Sequence, residues 1–321
     1  MIVRFGYVAM SVKLKNASPS KTMTATRFAQ ISDRAAAIRK LERIASQNLH
    51  NTLRLLRHNQ GNGIKVYRFS SRLIPLIGHH LLEGWDPFPA LAEDFRAIGD
   101  YVIAHGMRVS FHPDHFTVLS SPREQVLRHS HEDLCRHVRM LEAMGLDERA
   151  KCNIHVGGTY GDKKAAARRF LSQAERLDSS VRRRLTLEND DKTFNAAETL
   201  ALCEQTGIPM VLDLHHHQVN NGGEPAEALW PRILRTWEGR EIPPKIHVSS
   251  PKSERDPRGH ADYVEPAPLL AFLRAVASST IALDVMIEAK MKDEALFQLM
   301  RDMEKAGGVI RRNQAEVEIF A

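Results

Sequence analysis

Only three cysteines occur in the 321 residues, Cys135, Cys152 and Cys203. Their number is odd and no two form a C-x-x-C pair. This argues against a structural disulfide framework and for a reducing compartment. No apolar run is long enough to span a bilayer. The opening MIVRFGYVAM is too short, and too soon followed by polar residues, to serve as a secretory signal. A membrane is therefore not an expected partner, and the cytoplasm is the expected location. Internal repeats and low-complexity segments are also lacking, which removes solenoids and low-complexity arrays from consideration. The chain is 43% hydrophobic, enough to bury a full core. One (β/α) barrel of about 250 residues plus extensions would fit this length.

What the chain does contain is a series of six short apolar runs, each closing on a residue able to hold a metal. They end at His112, His155, Glu188, Asp213, His247 and Glu288. A buried strand rarely closes on such a residue, because an unpaired buried charge is costly. The full set of strand candidates is Ile2–Val8, Ile64–Phe69, Arg108–Phe111, Lys151–Val156, Leu185–Glu188, Met210–Leu214, Lys245–Val248 and Ala282–Glu288. Helical patterns lie between them, among them Ile31–Arg57, Phe88–His105, Glu124–Met144, Ala196–Thr206 and Pro268–Ala277. Gly106 and Gly207 punctuate two helix ends. Eight strands alternating with helices predict a (β/α)8 TIM barrel, in the α/β class, over residues 1–306. Residues 307–321 have no ninth unit to join and are set apart as a C-terminal extension, a tail or a cap.

Strand side chains alternate between faces. Ser110 shares a face with His112, Thr186 with Glu188, Val211 with Asp213, Lys245 with His247, and Met286 with Glu288. Their neighbours Phe111, Leu187, Leu212, Ile246 and Ile287 are apolar, as helix-facing residues should be. The ligand-type residues thus fall on the inward parity at the C-terminal strand ends, where barrel active sites lie.

His260 and the His215–His217 triplet add further imidazoles. Mixed imidazole and carboxylate suits Zn, Mn or Fe more than thiophilic metals. Two or three divalent ions sharing a carboxylate can lower the pKa of a water to about 7 and stabilise both oxygens of a phosphodiester displacement. Glu188 suits the shared position, being midway in strand order between the His112/His155 and Asp213/His247 pairs. Lys245 points inward beside His247, where an ammonium would repel metals. It is either a deprotonated base, a carbamate formed with carbon dioxide, or a phosphate contact, and the carbamate ranks first because it supplies an anionic oxygen. His50, His58, His105, His129, His131 and His137 read as helix-face or core-edge residues, and Arg182–Arg184 as a solvated helix end. The net charge of +6, with acids gathered at the strand ends, is compatible with an anionic polymer as substrate.

The motifs FGY at 5–7, NLHNTLRLLRHN, YRFSSRLIP, HPDHF, HVGGTYGDK, LENDD, DLHHHxxN at 213–220, KIHVSS, GHADYV and VMIEAK, taken together, resemble those of UV damage endonucleases. These are barrel enzymes related to endonuclease IV and to the xylose-isomerase-like superfamily. The resemblance covers nearly the whole chain to about residue 292. It implies a DNA repair endonuclease that nicks double-stranded DNA directly 5′ of cyclobutane pyrimidine dimers, 6-4 photoproducts and abasic sites, leaving a 3′-hydroxyl.

The resemblance also implies a ligand set, with two or three divalent metals, Mn²⁺ ahead of Zn²⁺. His112, His155 and Glu188 would hold one metal; Glu188, Asp213, His247 and Glu288 a second; His216 and His260 a third. Lys245 stands where endonuclease IV has an aspartate, which favours an N6-carboxylated lysine. Glu188, Lys245 and His247 would carry catalysis. Spacing from Asp213 selects His216, whereas strand parity selects His215. His79 follows the RFSS-x-LIP segment and is a further metal or phosphate candidate. Base flipping is expected, with Tyr7, His115 and Phe116 probing the lesion. His115 and Ser11 depart from the residues the family often carries. A monomer is expected. The alternative on the same barrel is a metal-dependent sugar isomerase or epimerase, and a third reading is a lesion-binding protein without catalysis.

Overall fold

The computed structural model describes residues 1–320. In chain order its elements are β1 (Ile2–Val8), α1 (Ala25–Ala29), α2 (Arg34–Gly61), β2 (Val66–Arg68), α3 (Ala92–Ala104), β3 (Arg108–Phe111), α4 (Glu124–Ala143), β4 (Lys151–His155), α5 (Lys163–Arg176), α6 (Ser179–Arg184), β5 (Leu185–Glu188), α7 (Ala196–Thr206) and β6 (Met210–Asp213). They continue with α8 (Leu214–Val219), α9 (Ala226–Thr236), β7 (Lys245–Val248), β8 (Pro251–Ser253), β9 (Asp256–His260), α10 (Pro266–Val276), β10 (Ala282–Ile287), α11 (Lys292–Lys305), β11 (Val309–Arg311) and β12 (Glu316–Ile319). Eight strands, β1 to β7 and β10, pair in parallel, and β10 returns to β1 with Tyr7 opposite Ile287, closing the ring. The chain is a (β/α)8 TIM barrel, as the alternation predicts.

Local chemistry sets the helix ends. Asp33 caps α2 by accepting from the Ala35 and Ala36 amides, so this helix starts three residues after the predicted Ile31. Asn195 and Glu198 form a reciprocal capping box on α7, and Gly207 ends that helix at φ +70°. Between the strand ring and the helices lies an apolar layer that includes Phe5, Phe95, Phe111 and Phe170, all fully buried. Each such side chain contributes roughly 1.5–3 kcal/mol. The barrel interior is different, because its lower layer is charged. Asp284 accepts two bonds from Arg4, at 2.7 and 2.9 Å, and one from Arg108 at 2.6 Å.

The C-terminal segment is ordered. β11 and β12 form a hairpin, and β12 pairs antiparallel with the first half of β1, Val3 opposite Val317. β1 is available there because β2 engages only its second half, from Gly6 onward. Arg184 also departs from the sequence reading as part of a solvated run. It is buried, and its Nη2 donates to the Leu146 carbonyl at 2.7 Å.

Candidate metal centre

The inward parity of the strands brings the ligand-type residues together. His155, Glu188 and Asp213 are the last residues of β4, β5 and β6; His247 is inside β7; His112 and Glu288 directly follow β3 and β10. Register reinforces this, with His155 opposite Glu188 and Asp213 opposite His247.

Glu188 lies at the hub. Its Oε1 faces His216 Nδ1 at 3.4 Å and His155 Nε2 at 4.0 Å. Its Oε2 faces His247 Nδ1 at 3.0 Å and His112 Nε2 at 3.3 Å. Three ligand triangles result, each with donor atoms within 4.8 Å of one another: His112–His155–Glu188, Glu188–Asp213–His216 and Glu188–His247–Glu288. All three share Glu188. The partition differs in one respect from the resemblance, since Asp213 groups with His216 while His247 groups with Glu288.

The choice between His215 and His216 follows from local structure. Asp213 ends β6 and is also the N-cap of α8, accepting from the His216 amide at 2.7 Å. Helical spacing therefore replaces strand parity directly after Asp213. His216 turns to the carboxylates, and His215 turns away to the Pro257 carbonyl at 2.8 Å, which docks the β8–β9 hairpin. That hairpin carries His260 over the mouth. His260 Nδ1 lies 2.7 Å from the Glu288 carbonyl and 3.9 Å from Glu288 Oε2, at the edge of the cluster and outside the three triangles.

The surroundings fit divalent cations. The Nδ1 atoms of His112 and His216 each lie 2.9 Å from a backbone carbonyl, that of Pro113 and that of Asn189. For His112, whose Nε2 faces Glu188, giving the Nδ1 proton to the carbonyl leaves the Nε2 lone pair free, the usual outer-shell device at metal sites. Asp213 Oδ2 and His155 Nδ1 are buried without a hydrogen-bond partner, and His247 Nδ1 is buried between two carboxylates, 3.0 Å from Glu188 Oε2 and 3.1 Å from Glu288 Oε1. Burial opposes ionisation of Glu188, but the His247 and His155 imidazoles outweigh it and hold its carboxyl well below the usual range. Burial likewise opposes protonation of His216, yet Asp213 and Glu188 lift it to about 11. His247 is lifted to about 9, against burial, by Glu188 and then Glu288. Buried acids that draw this much positive charge onto imidazoles form a donor set for divalent metal ions.

Asn153, Arg68 and Asn189, which parity had not singled out, complete the site together with Thr186. Asn153 donates its side-chain amide to Glu188 Oε2, and Thr186 donates to Asn153 Oδ1 at 2.8 Å. Arg68 Nη1 donates to Glu288 Oε1. Asn189 clasps the Asp213 backbone, accepting from its amide at 2.9 Å and donating to its carbonyl at 3.0 Å. Arg68 and Asn153 lie on inward strand positions, so applying parity to every polar residue, and not only to ligand types, would have found them.

Other candidates fall elsewhere. Lys245 lies one layer below His247 on β7. Tyr7 is fully buried, with its hydroxyl donating to Asn59 at 2.7 Å and its ring edge-on to Tyr67. Its place between β1 and α2 corrects the expectation that it probes DNA. His79 caps a single 3₁₀ turn through the Leu81 amide and belongs to none of the metal clusters among the described residues. His115 and Phe116 do project outward, Phe116 being 73% exposed with its ring tilted against that of His115. Ser11 is tied to Asp293.

A closed parallel barrel whose C-terminal mouth gathers shared carboxylates and imidazoles defines a TIM-barrel protein with ligand clusters for divalent metals. The sequence profile of the family described as UV-endonuclease UvdE matches residues 3–319, and the chain belongs to that family. It is 45% identical over 319 residues to the UV DNA damage endonuclease of Halalkalibacterium halodurans, covering 99% of each chain. It is 39% identical over 318 residues to the UV DNA damage endonuclease of Bacillus cereus, covering 99% of this chain and 100% of the other. The solved structure of SacUVDE superposes with a TM-score of 0.82 at 28% identity, covering 95% of this chain and 99% of that one. Endonuclease IV from Thermus thermophilus shares the fold, with a TM-score of 0.58 at 13% identity over 95% of this chain and all of that one.

Proposed function

We propose that this protein is a metal-dependent endonuclease that nicks UV-damaged duplex DNA immediately 5′ of the photoproduct and leaves a 3′-hydroxyl. The observation that carries the reading is Glu188, common to three ligand clusters at the barrel mouth in a chain of the UV-endonuclease family. His112, His155, Glu188, Asp213, His216, His247 and Glu288 would hold two or three divalent ions, Mn²⁺ ahead of Zn²⁺, with His260 completing the third position. Such ions supply Lewis acidity to the phosphodiester and lower the pKa of water.

The chain's own residues do the positioning. Glu188 fixes four imidazoles around one point, Asn153 and Thr186 fix Glu188, and Arg68 fixes Glu288. Lys245 is buried, and burial followed by the neighbouring Arg108 charge pushes its amine well below the usual lysine range. A neutral amine is the form that adds to carbon dioxide, its lone pair making the N–C bond as one N–H proton leaves to solvent. We assign Lys245 this N6-carboxylated state, which converts a cation under the metal centre into an anion. His115 and Phe116 are the exposed side chains offered to the gap left by flipped bases. The cleft faces double-stranded DNA, and no helix among the described residues is long and apolar enough to cross a membrane.

Incubation with irradiated and unirradiated duplexes under Mn²⁺ tests the reading. Nicking confined to the irradiated strand, 5′ of the lesion, is expected; equal cleavage of both duplexes would overturn it. Glu188→Gln should abolish nicking and lower the number of bound metals while retaining DNA affinity. Turnover of a ketose without DNA cleavage would favour the isomerase alternative.

A further inference from the structure

Away from the barrel mouth, three residues of different chemistry meet on the outer surface. His131 and Cys135 stand four residues apart on α4 and so share one of its faces. Asp178 approaches them from the turn between α5 and α6. His131 Nε2 lies 3.6 Å from Asp178 Oδ2 and 3.9 Å from Cys135 Sγ, and Sγ lies 4.0 Å from Oδ2. The triangle is nearly equilateral. A tetrahedral ion with bonds of about 2.0–2.3 Å to N, O and S spaces its ligands about 3.3–3.6 Å apart. Small rotations of three side chains at the surface would close the difference.

The position of Asp178 is a second, separate observation. It is the N-cap residue of α6, where a carboxylate ordinarily accepts from first-turn amides. Yet it makes no side-chain capping bond, and its carboxylate is directed to His131 and Cys135 instead.

We propose that His131, Cys135 and Asp178 form a second divalent-cation site, separate from the barrel centre, that takes a thiophilic ion such as Zn²⁺ or Co²⁺ and completes its coordination with water. The thiolate makes the site selective in a way that the imidazole and carboxylate centre is not. An ion held there ties α4 to the α5–α6 turn.

Cobalt distinguishes this site from the barrel centre, because only a sulfur ligand gives a thiolate-to-cobalt charge-transfer band in the near ultraviolet. Cys152 and Cys203 are fully buried, which leaves Cys135 as the sulfur in reach. The full-length protein, stripped of metal, is titrated with Co²⁺. The band should appear, should be lost in Cys135→Ser, and should require at least about tenfold more Co²⁺ in His131→Gln and Asp178→Asn. Glu188→Gln should keep it. A saturated titration with no band, or a band that survives Cys135→Ser, would overturn the assignment.

Discussion

Lys245 crosses the barrel from β7 to place its Nζ 3.2 Å from Ser110 Oγ on the opposite strand β3. Each residue sits two positions before a histidine of the metal centre, His247 and His112 respectively. The lysine is therefore part of the floor of the site and offers no ammonium to the solvent, which disfavours a direct phosphate contact. If its carboxylated form supplies an anionic oxygen, then charge is what matters at this position. Lys245→Glu should then retain more nicking than Lys245→Met, and labelled bicarbonate should give a carbamate signal in carbon NMR of the wild type that is absent from both variants. Equal loss of activity in the two, with no carbamate signal, would point back to a neutral lysine base.

Asn153 holds Glu188 from the neighbouring strand, and Thr186 holds Asn153 in turn. The three form a relay below the shared carboxylate, with Asn153 and Thr186 in register. Outer partners of this kind typically matter by about 10–100-fold in metal affinity or activity. Asn153→Ala should fall in that range when Mn²⁺ binding is measured by calorimetry, and Glu188→Gln should exceed it. A variant with unchanged affinity would show that packing alone orients Glu188.

Much of this site was legible in the sequence because two local rules, strand parity and position at a strand end, select the same residues. Parity failed where its premise failed: Asp213 caps a helix, so the selected imidazole is His216 and not His215. Arg68 was missed because its partner Glu288 lies far along the chain, directly after β10, although both face inward. Tyr7 was misjudged because its neighbour Asn59, on α2, takes its hydroxyl in the interior. The β11–β12 hairpin was illegible for a related reason. It completes an edge of β1, and nothing within residues 307–321 announces a partner at the opposite terminus.

Asp284 joins Arg4 and Arg108 at the bottom of the barrel, with Arg108 and Asp284 both buried. Burial opposes its ionisation, but Arg108 and then Arg4 outweigh that and hold the carboxyl below its ordinary value of 3.8. A depressed folded-state pKa contributes stability that is fully present above the unfolded value and is lost as pH falls through the folded one. Asp284→Asn leaves a buried guanidinium uncompensated, a change that costs about 3–5 kcal/mol. In urea denaturation the gap between wild type and variant should hold steady from neutral pH down to about pH 4 and close below it. A gap that narrows already near pH 6 would assign the effect to other groups.

Phe116 is the large apolar side chain in the loop after β3, just beyond the ligand His112, and its ring is tilted against that of His115 with centroids 4.0 Å apart. Exposed apolar surface beside a charged cleft is unfavourable in the free protein, and a base step opened by damage offers it a partner. Stacking of a base on an aromatic is worth about 1–3 kcal/mol. Phe116→Ala should therefore weaken binding to irradiated duplex by about 5–150-fold, the same free energy expressed as a ratio, while affinity for intact duplex changes little. Metal content should not change, because Phe116 offers no ligand atom and belongs to none of the ligand clusters. His115→Ala separates the two contributions. His115 Nδ1 lies 2.6 Å from Asp114 Oδ1, so part of its role is to orient the pair, and its removal should cost less than that of Phe116. Fluorescence anisotropy on matched irradiated and intact duplexes, with a catalytically silent Glu188→Gln background to prevent cleavage, decides between lesion probing and a loop that only frames the mouth.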